Sequence, residues 1–355
     1  MKIVPYDNLV EFHREILKKV GLDDFSNDSV TTGLCEASLR GVDSHGVRLL
    51  PHYVNSALHG RKNPKPVFDF NKTFPAIGHL DADNAFGHAA GMIAIDYCMD
   101  MADQAGVGIV AVSNSSHPGA MASMTLKAAR KGYMAFAFTH ADSLVLSYNG
   151  KRPYFGTNPV CFAAPRAGED PYCLDMATSI APWNRILVHK NENKPLPEGI
   201  AVDHDGSPTT NPDAAAAVMP TGGYKGYGLA SMVEILCGIY TGMNFGKAIP
   251  SMYKAPIDQP RKLGQFYMVI RTDGVISKDF FMEKMQEMSR QVRQEPGIGG
   301  ENVILPGDKE IYEAEKRMLN GIPIDNVTAD SFKALSKKYN TPINIVNITN
   351  ENHIL

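Results

Sequence analysis

Residues 107–138, VGIVAVSNSSHPGAMASMTLKAARKGYMAFAF, decide the fold class of this chain. The β-branched run 107–112 predicts a strand, and residues 120–131 predict a helix that Gly132 closes. The apolar run 133–138 then predicts a second strand. A strand, a helix and a strand in this order indicate an α/β layer.

The surrounding sequence extends this pattern in both directions. Just before the unit, residues 76–80 predict a strand and residues 86–104 predict a helix. The other predicted elements are three N-terminal helices (9–20, 30–39 with Asn27 or Asp28 as N-cap, and 49–57), a helix at 225–240, a strand at 263–271 and two C-terminal helices (280–292 and 311–319). Between 149 and 220, dense glycine and proline predict short strands and long loops that cover a cleft. We expect the C-terminal helices to pack on the N-terminal three.

The totals exclude several classes of protein. A chain of 355 residues exceeds what one hydrophobic core usually serves, so two domains, or one with a large insertion, are expected. The net charge of −3 indicates neither a nucleic-acid partner nor a membrane-surface partner. No apolar run approaches the ~18 residues that a membrane span requires. The balanced charge favours a protein that binds a small molecule, and five cysteines without a C-x-x-C pair predict buried free thiols in a cytoplasmic protein.

Two short segments carry the chain's best candidates for proton transfer. DSHG (43–46) and SHPG (116–119) each place a histidine beside a hydroxyl group and a glycine. His117 follows a predicted strand and precedes a helix, where open sheets present functional groups. His45 lies between two predicted helices. An imidazole exchanges protons near neutral pH, although a surface or capping role is the alternative for each histidine.

A glycine-rich segment is the candidate anion site. Residues 222–228, GGYKGYG, open a predicted helix, where backbone N–H groups and the Lys225 ammonium would hold phosphate oxygens. A flexible turn with a solvated lysine is the alternative. The chain contains neither a P-loop nor a G-x-G-x-x-G motif. It also has no H-E-x-x-H motif and no cluster of cysteine and histidine, so no metal site is predicted.

Three further turns carry polar side chains. Pro159 restricts Asn158 to extended geometry, which would leave the Asn158 amide free to face a cleft, with a purely structural turn as the alternative. Asp175 follows an apolar run and would orient a histidine or meet a ribose hydroxyl, with a turn or capping role as the alternative. Asp308 precedes a predicted helix and is expected to be its N-cap.

Two other classes of function fit parts of this pattern. A hydrolase would use Ser44 or Ser116 as nucleophile with a neighbouring histidine. Adjacent residues rarely aim their side chains at each other, and no G-x-S-x-G motif is present, so this function is disfavoured. A non-catalytic binding protein would use the same turns only to shape a pocket.

Taken together and in order, six segments resemble the malate/L-lactate dehydrogenase family of NAD(P)-dependent oxidoreductases. Its members include ureidoglycolate dehydrogenase, sulfolactate dehydrogenase and diketogulonate reductase. The segments that carry the resemblance are RGVDSHG (40–46), SHPG (116–119), GTNP (156–159), DMATS (175–179), KGYGL (225–229) and PG (306–307).

The resemblance implies an α/β fold with a non-Rossmann nicotinamide-binding domain, which agrees with the missing G-x-G-x-x-G motif. It implies a helical domain built from both chain ends, residues 1–75 plus 275–355. The α/β domain then covers residues 76–274, with a loop-rich insertion at 149–220. A homodimer is also implied, with NAD as cofactor and NADP as the alternative.

The resemblance also implies roles for individual residues. His117 corresponds to the catalytic acid/base, with His45 beside it, and His45 and Tyr53 fall on substrate-pocket positions. The implied cofactor contacts are Asp175, Met176, Ala177, Lys225, Gly226 and the turn Gly307-Asp308-Lys309. Asp142 joins them, because it follows Ala141, where some relatives have a cofactor-contacting serine.

One departure concerns the expected substrate clamp. Many relatives carry an arginine five residues after the serine of the Ser-His-Gly motif, whereas Leu49 has that place here and Arg48 precedes it. On a helix one residue turns a side chain by ~100°. Arg48 therefore reaches a substrate carboxylate only if the turn before the helix absorbs the shift.

The resemblance and the candidate residues together lead us to expect hydride transfer between NAD(H) and C2 of a small 2-hydroxy or 2-oxo acid. Malate/oxaloacetate is favoured, and ureidoglycolate or L-lactate is the alternative. His117 is expected to exchange the hydroxyl proton, and Arg48 to bind the substrate carboxylate. Ser44, His45, Tyr53 and Asn158 are expected to complete the pocket.

Overall fold

The computed structural model describes residues 2–347, and the elements below are numbered in chain order within that range. The helices are α1 (Tyr6–Val20), α2 (Asp24–Leu39), α3 (Leu50–Leu58), α4 (Gly87–Ala105), α5 (Ala122–Arg130), α6 (Trp183–Asn191), α7 (Tyr224–Glu234), α8 (Lys278–Arg293), α9 (Asp308–Asn320) and α10 (Asn326–Tyr339). The strands are β1 (Lys2–Val4), β2 (Asp69–Phe74), β3 (Ile77–Asp81), β4 (Val107–Ser115), β5 (Tyr133–Thr139), β6 (Val145–Leu146), β7 (Pro153–Phe155), β8 (Val160–Ala164), β9 (Tyr172–Met176), β10 (Ala201–Val202), β11 (Ala217–Val218), β12 (Leu263–Arg271), β13 (Ile322–Ile324) and β14 (Val346–Asn347).

The largest sheet has seven strands in the order β2-β3-β4-β12-β5-β8-β9. Strands β4 and β5, which flank α5 in the chain, are separated in the sheet by β12, which is antiparallel to both. Only β3 and β4 pair in parallel within this sheet. The α/β fold class is confirmed, and the sheet that underlies it is mixed.

Most predicted elements form close to their expected positions, with two exceptions. The predicted N-cap of α2 at Asn27 or Asp28 is wrong, because Asp23 caps that helix by accepting a hydrogen bond from the Ser26 amide at 2.8 Å. Helix α6 lies in the segment that was predicted to hold short strands and long loops. The same segment also contributes to a small sheet of order β10-β11-β6-β7.

Two main clusters of buried apolar side chains hold the chain together. The larger cluster packs α4 and α5 on the seven-stranded sheet, with Ile95, Leu126 and Tyr267 among its members. The second cluster joins both chain ends, since Phe12 of α1 lies 5.4 Å from Phe332 of α10, measured between ring centroids. Strand β1 also pairs with β13 and β14.

The C-terminal helices divide between these two regions. Helix α9, one of the two predicted C-terminal helices, contacts the N-terminal region as expected, with Arg317 bonded to Asp43 at 2.7 Å. Helix α10 was not predicted and packs on the N-terminal helices too. Helix α8 instead lies beside the β8–β9 connection, where the Met282 carbonyl accepts a hydrogen bond from the Ala167 amide at 3.3 Å. Strand β2 belongs to the large sheet. The division into residues 1–75 plus 275–355 and residues 76–274 stays a prediction.

Three general expectations can be compared with the structure. All five cysteines are buried free thiols, as predicted. Within residues 2–347, no helix has the length and apolar character needed to cross a membrane. Over the same range, no group of three or more histidine, cysteine or acidic side chains has a geometry suited to a metal ion.

The joined core of the chain ends predicts a large stability effect at Phe332. This side chain is fully buried, so Phe332→Ala should lower the free energy of unfolding by about 3–5 kcal/mol, measured by denaturant titration. Val327→Ala is the matched control on the same helix. Val327 is 78% exposed, and its loss should change stability by less than about 0.5 kcal/mol. Equal stability of the two variants would contradict the packing of α10 on α1.

Candidate active site

The loop after β4 fixes the position of His117. Its neighbour Ser116 is buried, and the Ser116 hydroxyl donates to the Ala85 carbonyl at 2.8 Å and accepts from the Gly87 amide at 3.0 Å. These bonds tie the loop to the first turn of α4. Ser116 therefore has a structural role, and its hydroxyl group is not available as a nucleophile.

Four predicted residues, Ser44, His45, Tyr53 and His117, lie together. The Tyr53 hydroxyl lies 3.0 Å from His117 Nδ1 and 3.3 Å from the His117 carbonyl oxygen. The rings of His45 and His117 stack with their centroids 5.6 Å apart. When His117 Nδ1–H donates to the Tyr53 hydroxyl oxygen, and that hydroxyl donates to the His117 carbonyl oxygen, Nε2 of the neutral ring is unprotonated and can accept a proton.

The expectation about adjacent serine and histidine side chains is wrong at one position. Ser44 Oγ lies 2.8 Å from His45 Nδ1, so these neighbours do form a hydrogen bond. They are placed on a short 3₁₀ turn, Asp43–His45, whose tight backbone brings consecutive side chains together. Burial and the nearby Arg48 lower the pKa of His45 to about 4, so its ring is neutral at neutral pH.

The surroundings of His117 disfavour a positive charge on its imidazole ring. Burial holds the pKa of His117 well below its usual 6.5, and His45, Lys62 and Arg261 add to this effect. At neutral pH the imidazole of His117 is therefore neutral and can accept a proton.

Two cationic side chains near this site were missed in the sequence. The Lys62 amine is buried 3.6 Å from the centroid of the Tyr53 ring. Arg261 is buried too, with its guanidinium bonded to the Asp142 carboxylate and to the Pro250 carbonyl at 2.9 Å. No local pattern distinguishes either residue from a surface charge, since each follows another basic or turn residue in a polar segment.

Arg48 lies on a second 3₁₀ turn, Val47–Leu49, that precedes α3. Its side chain is exposed and forms no ion pair with any residue in 2–347. It lies near enough to His45 and Tyr253 to influence the pKa of both. Arg48 therefore lies on a turn that precedes the helix. The rotation of ~100° per residue considered for the expected carboxylate clamp does not apply to it.

A cavity of about 410 Å³ is lined by His45, whose ring stacks on that of His117. Five predicted residues line it, namely Ser44, His45, Asp175, Ala177 and Gly307. Arg40, which was not predicted as a site residue, lines it too and donates from Nη1 to Asp170 at 3.0 Å. Its second terminal nitrogen, Nη2, is buried without a hydrogen-bond partner within the described chain.

Asp175 lies at the end of β9 and faces the N-terminus of α5. Its Oδ2 atom accepts a hydrogen bond from the Ala122 amide at 2.9 Å. Solvent reaches the carboxylate through the cavity, but protein surrounds it on the other sides. This burial raises its pKa from 3.8 to about 6.

Several predicted cofactor contacts do not line this cavity, namely Asp142, Met176, Lys225, Gly226, Asp308 and Lys309. Lys225 and Lys309 are exposed. The Gly226 amide donates to the Thr221 carbonyl at 2.8 Å, and a Cβ at this position would lie 2.3 Å from that oxygen. Gly226 therefore permits close packing of α7, and its N–H is not free for an anion.

The expected extended geometry and free amide of Asn158 are wrong, and the structural alternative describes this residue. Its φ angle is 30°, in the left-handed region, although a proline follows. The amide is completely buried and fully used: Oδ1 accepts from the Ala141 amide at 3.1 Å, while Nδ2 donates to Glu234 at 2.7 Å and to the Ala230 carbonyl at 2.9 Å. Asn158 has no free group for a substrate, and its role is structural.

The expected capping role of Asp308 is also wrong. Asp308 is the first residue of α9, and Gly307, with φ of 95°, is the cap. The Asp308 carboxylate instead binds Arg293 at 2.7 and 2.9 Å and accepts from the Leu305 amide at 2.9 Å. This ion pair holds its pKa below the usual range against the opposing effect of burial.

The chain is similar to known dehydrogenases over most of its length. A family model described as malate/L-lactate dehydrogenase matches residues 4–333. The ureidoglycolate dehydrogenase (NAD(+)) of Escherichia coli strain K12 is 33% identical over 87% of this chain and 88% of its own length. The malate dehydrogenase of Pyrococcus abyssi is 32% identical over 94% of each chain. The crystal structure of malate dehydrogenase from Entamoeba histolytica superposes with a TM-score of 0.91 at 29% identity, over 96% of this chain and 98% of that one.

The chain belongs to the malate/L-lactate dehydrogenase family. Members of this family are oxidoreductases that act on 2-hydroxy acids. The serine hydrolase and the non-catalytic binding protein were the alternatives, and membership of this family supports neither.

The raised pKa of Asp175 predicts a pH-dependent effect on stability. Folding disfavours the ionised carboxylate, so the contribution of Asp175 is favourable below its ordinary pKa of 3.8 and is lost as the pH rises to about 6. Asp175→Asn should therefore stabilise the protein at pH 8 by roughly 1 kcal/mol, a value reduced because solvent reaches the group. The gain should disappear near pH 4.

Thermal unfolding at both pH values tests this expectation. Asp100→Asn is the control, because Asp100 is an exposed carboxylate on α4. It should show no difference between the two pH values. A stabilisation by Asp175→Asn that is equal at pH 4 and pH 8 would show that burial does not perturb this carboxyl group.

Proposed function

We propose that the protein transfers a hydride reversibly between NAD(H) and C2 of a small 2-hydroxy or 2-oxo acid, with malate/oxaloacetate as the favoured pair. The observation that carries this proposal is the hydrogen bond between Tyr53 and His117 beside a cavity that His45 lines. Membership of the malate/L-lactate dehydrogenase family supports the reaction class.

His117 is the proposed acid/base. Its ring is neutral at working pH, so it accepts the substrate hydroxyl proton during oxidation and returns a proton during reduction. Tyr53 fixes the ring by bonding Nδ1, which leaves Nε2 for the substrate. General acid/base catalysis of this kind contributes about 10²- to 10⁴-fold. His45 and Ser44 form the adjacent wall of the pocket.

The cavity residues fit a nicotinamide dinucleotide. Arg40 has a buried nitrogen without a partner in the described part of the chain, which suits a phosphate oxygen, and Asp175 presents a carboxylate that suits a ribose hydroxyl. Ala177 and Gly307 form part of the cavity wall and would contact the cofactor there. Bound NAD supplies the acceptor for the hydride, and NADP is the alternative cofactor.

Other residues complete the proposed cofactor and substrate sites. Met176, Lys225, Gly226 and Lys309 are assigned to the cofactor by resemblance to the family. Asp142 and Asp308 contribute indirectly, because each carboxylate binds an arginine.

The charges around Tyr53 favour a dianionic substrate. Arg48 and Lys62 have no carboxylate partner within residues 2–347, and Arg261 is paired with Asp142 alone. A dicarboxylate such as malate complements this excess of positive charge, and Arg48 would bind one carboxylate through paired hydrogen bonds. L-lactate, with a single carboxylate, complements it less well.

Ureidoglycolate is the second candidate substrate. The observation that favours it is the 33% identity to a ureidoglycolate dehydrogenase (NAD(+)) over most of both chains. Ureidoglycolate carries one carboxylate and a neutral ureido group, so its charge distinguishes it from malate.

We also propose a homodimer in the cytoplasm. Helix α7 and the π-helical turn that continues it, Ile235–Ile239, expose an apolar stripe at helical spacing, formed by Leu229, Met232, Ile235 and Ile239. A second copy of the chain would cover this stripe. Buried free thiols fit a reducing compartment.

A panel of substrates tests the proposed reaction. Oxaloacetate, pyruvate, sulfopyruvate and oxalurate are assayed with NADH and with NADPH by the loss of nicotinamide absorbance. We expect oxaloacetate with NADH to give a kcat/KM at least about tenfold above that of pyruvate, because of the second carboxylate. A preference for oxalurate would replace malate by ureidoglycolate, and no turnover with any acid would refute the reaction class.

His117→Asn tests the acid/base assignment. The substitution removes the group that exchanges the proton and should lower kcat by about 10²- to 10⁴-fold without loss of folding. His59→Asn is the matched control, since His59 is an exposed histidine at the end of α3, and kcat should be unchanged. Steady-state kinetics and circular dichroism give the two readouts. Near wild-type turnover in His117→Asn would show that another group moves the proton.

A further inference from the structure

Lys62 is a buried lysine without a polar partner. Its side chain is almost fully enclosed, and Nζ has no hydrogen-bond or ion-pair partner within the described residues. The amine lies 3.6 Å from the centroid of the Tyr53 ring and 4.8 Å from that of Phe86. Aromatic faces stabilise a cation, so these two rings are the favourable surroundings that Lys62 has.

The backbone beside Lys62 holds this side chain in place. The guanidinium of Arg61 donates to four carbonyl oxygens, among them those of Met252 at 2.7 Å and Pro256 at 2.9 Å. The Lys62 amide donates to the Ser56 carbonyl at 3.3 Å, and the Asn63 amide to that of Asn84 at 2.9 Å. With both neighbours anchored, the Lys62 side chain is directed inward against Tyr53.

The groups that face His117 come from several elements, and all of them are basic or neutral. They are His45 from the 3₁₀ turn, Tyr53 from α3, Lys62 from the segment after α3, His88 from α4 and Arg261 from the segment before β12. The carboxylate of Asp142 is bound to Arg261. Lys62 is itself faced by Arg61 and Arg261, and it lies near His52 and His88.

Lys62 and His117 therefore compete for one positive charge. A charge on either group disfavours a charge on the other, because among residues 2–347 only basic groups act on both and no acidic group compensates them. Lys62 has two aromatic faces to stabilise its cation, whereas His117 has the edge of Tyr53 and the ring of His45. Burial, Arg261 and Arg61 lower the pKa of Lys62 well below 10.5, but an amine is intrinsically more basic than an imidazole and Lys62 has the two aromatic contacts, so the charge is more favourable on Lys62.

We propose that Lys62 is a positioning residue for the acid/base pair: seated against the ring of Tyr53 and without an acidic partner, its amine keeps the positive charge away from His117. The imidazole then stays neutral and able to accept a proton. Burial and packing alone do not require an amine here, since a methionine fills a similar volume without the cost of burying an unpaired polar group. The proposal rests on the acid/base role of His117 in the proposed function.

The test compares Lys62→Met with wild type by a histidine titration that does not depend on turnover. Histidine is labelled at Cε1, and the His117 resonance is assigned by its loss in His117→Asn. In Lys62→Met the pKa of His117 should rise by at least about one unit. Lys65→Met is the matched control, because Lys65 is exposed and only three residues away, and its loss should leave the titration unchanged.

The pH dependence of kcat/KM for oxidation of the best 2-hydroxy acid gives a second readout. Its acidic midpoint should move upward in Lys62→Met by the same amount and stay in place in Lys65→Met. A His117 titration in Lys62→Met that superimposes on wild type would overturn the proposal, as would a uniform loss of kcat/KM with an unchanged midpoint.

If Lys62→Met does not fold, Lys62→Gln provides the same comparison. If no acid is oxidised by wild type, the proposed function fails, and the titration still decides whether Lys62 controls the charge of His117.

Discussion

The hydrogen bond between Tyr53 and His117 joins two separately built parts of the molecule. Tyr53 is fully buried in the apolar cluster that both chain ends form, whereas His117 follows a strand of the seven-stranded sheet. Neither cluster contains the site by itself. The cavity has the same origin, since α2 supplies Arg40 at its end and the sheet region supplies Asp175. The acid/base pair therefore depends on how the two parts pack on each other.

Burial and charge act in the same direction around this bond. His88 is fully buried and His45 and His117 are partly buried, and burial is the main reason why each has a lowered pKa. Lys62 and the nearby arginines add positive charge, and the carboxylate of Asp142 is already bound to Arg261. A site of this kind keeps its imidazoles neutral and attracts an anionic substrate, two properties that a hydroxy-acid dehydrogenase requires.

Much of the fold was predicted from local patterns. The strand, helix and strand of residues 107–138 formed nearly as expected, because periodicity reports which side chains can be buried together. The insertion of β12 between β4 and β5 was not predicted, since β12 is far away in the chain and its pairing is set by tertiary contacts. Helix α6 was missed because its flanking prolines and glycines indicate loops.

The sequence by itself determined the α/β class, the family and the histidines at positions 45 and 117, because motifs and periodicity are local properties of the chain. Only the tertiary structure decided which polar groups remain free. Asn158 and Asp308 looked available in the sequence but are bound to distant partners, whereas Lys62 and Arg261 looked like surface charges and are buried beside the site. The environment of a side chain depends on residues far from it in the chain, and folding alone brings those residues together.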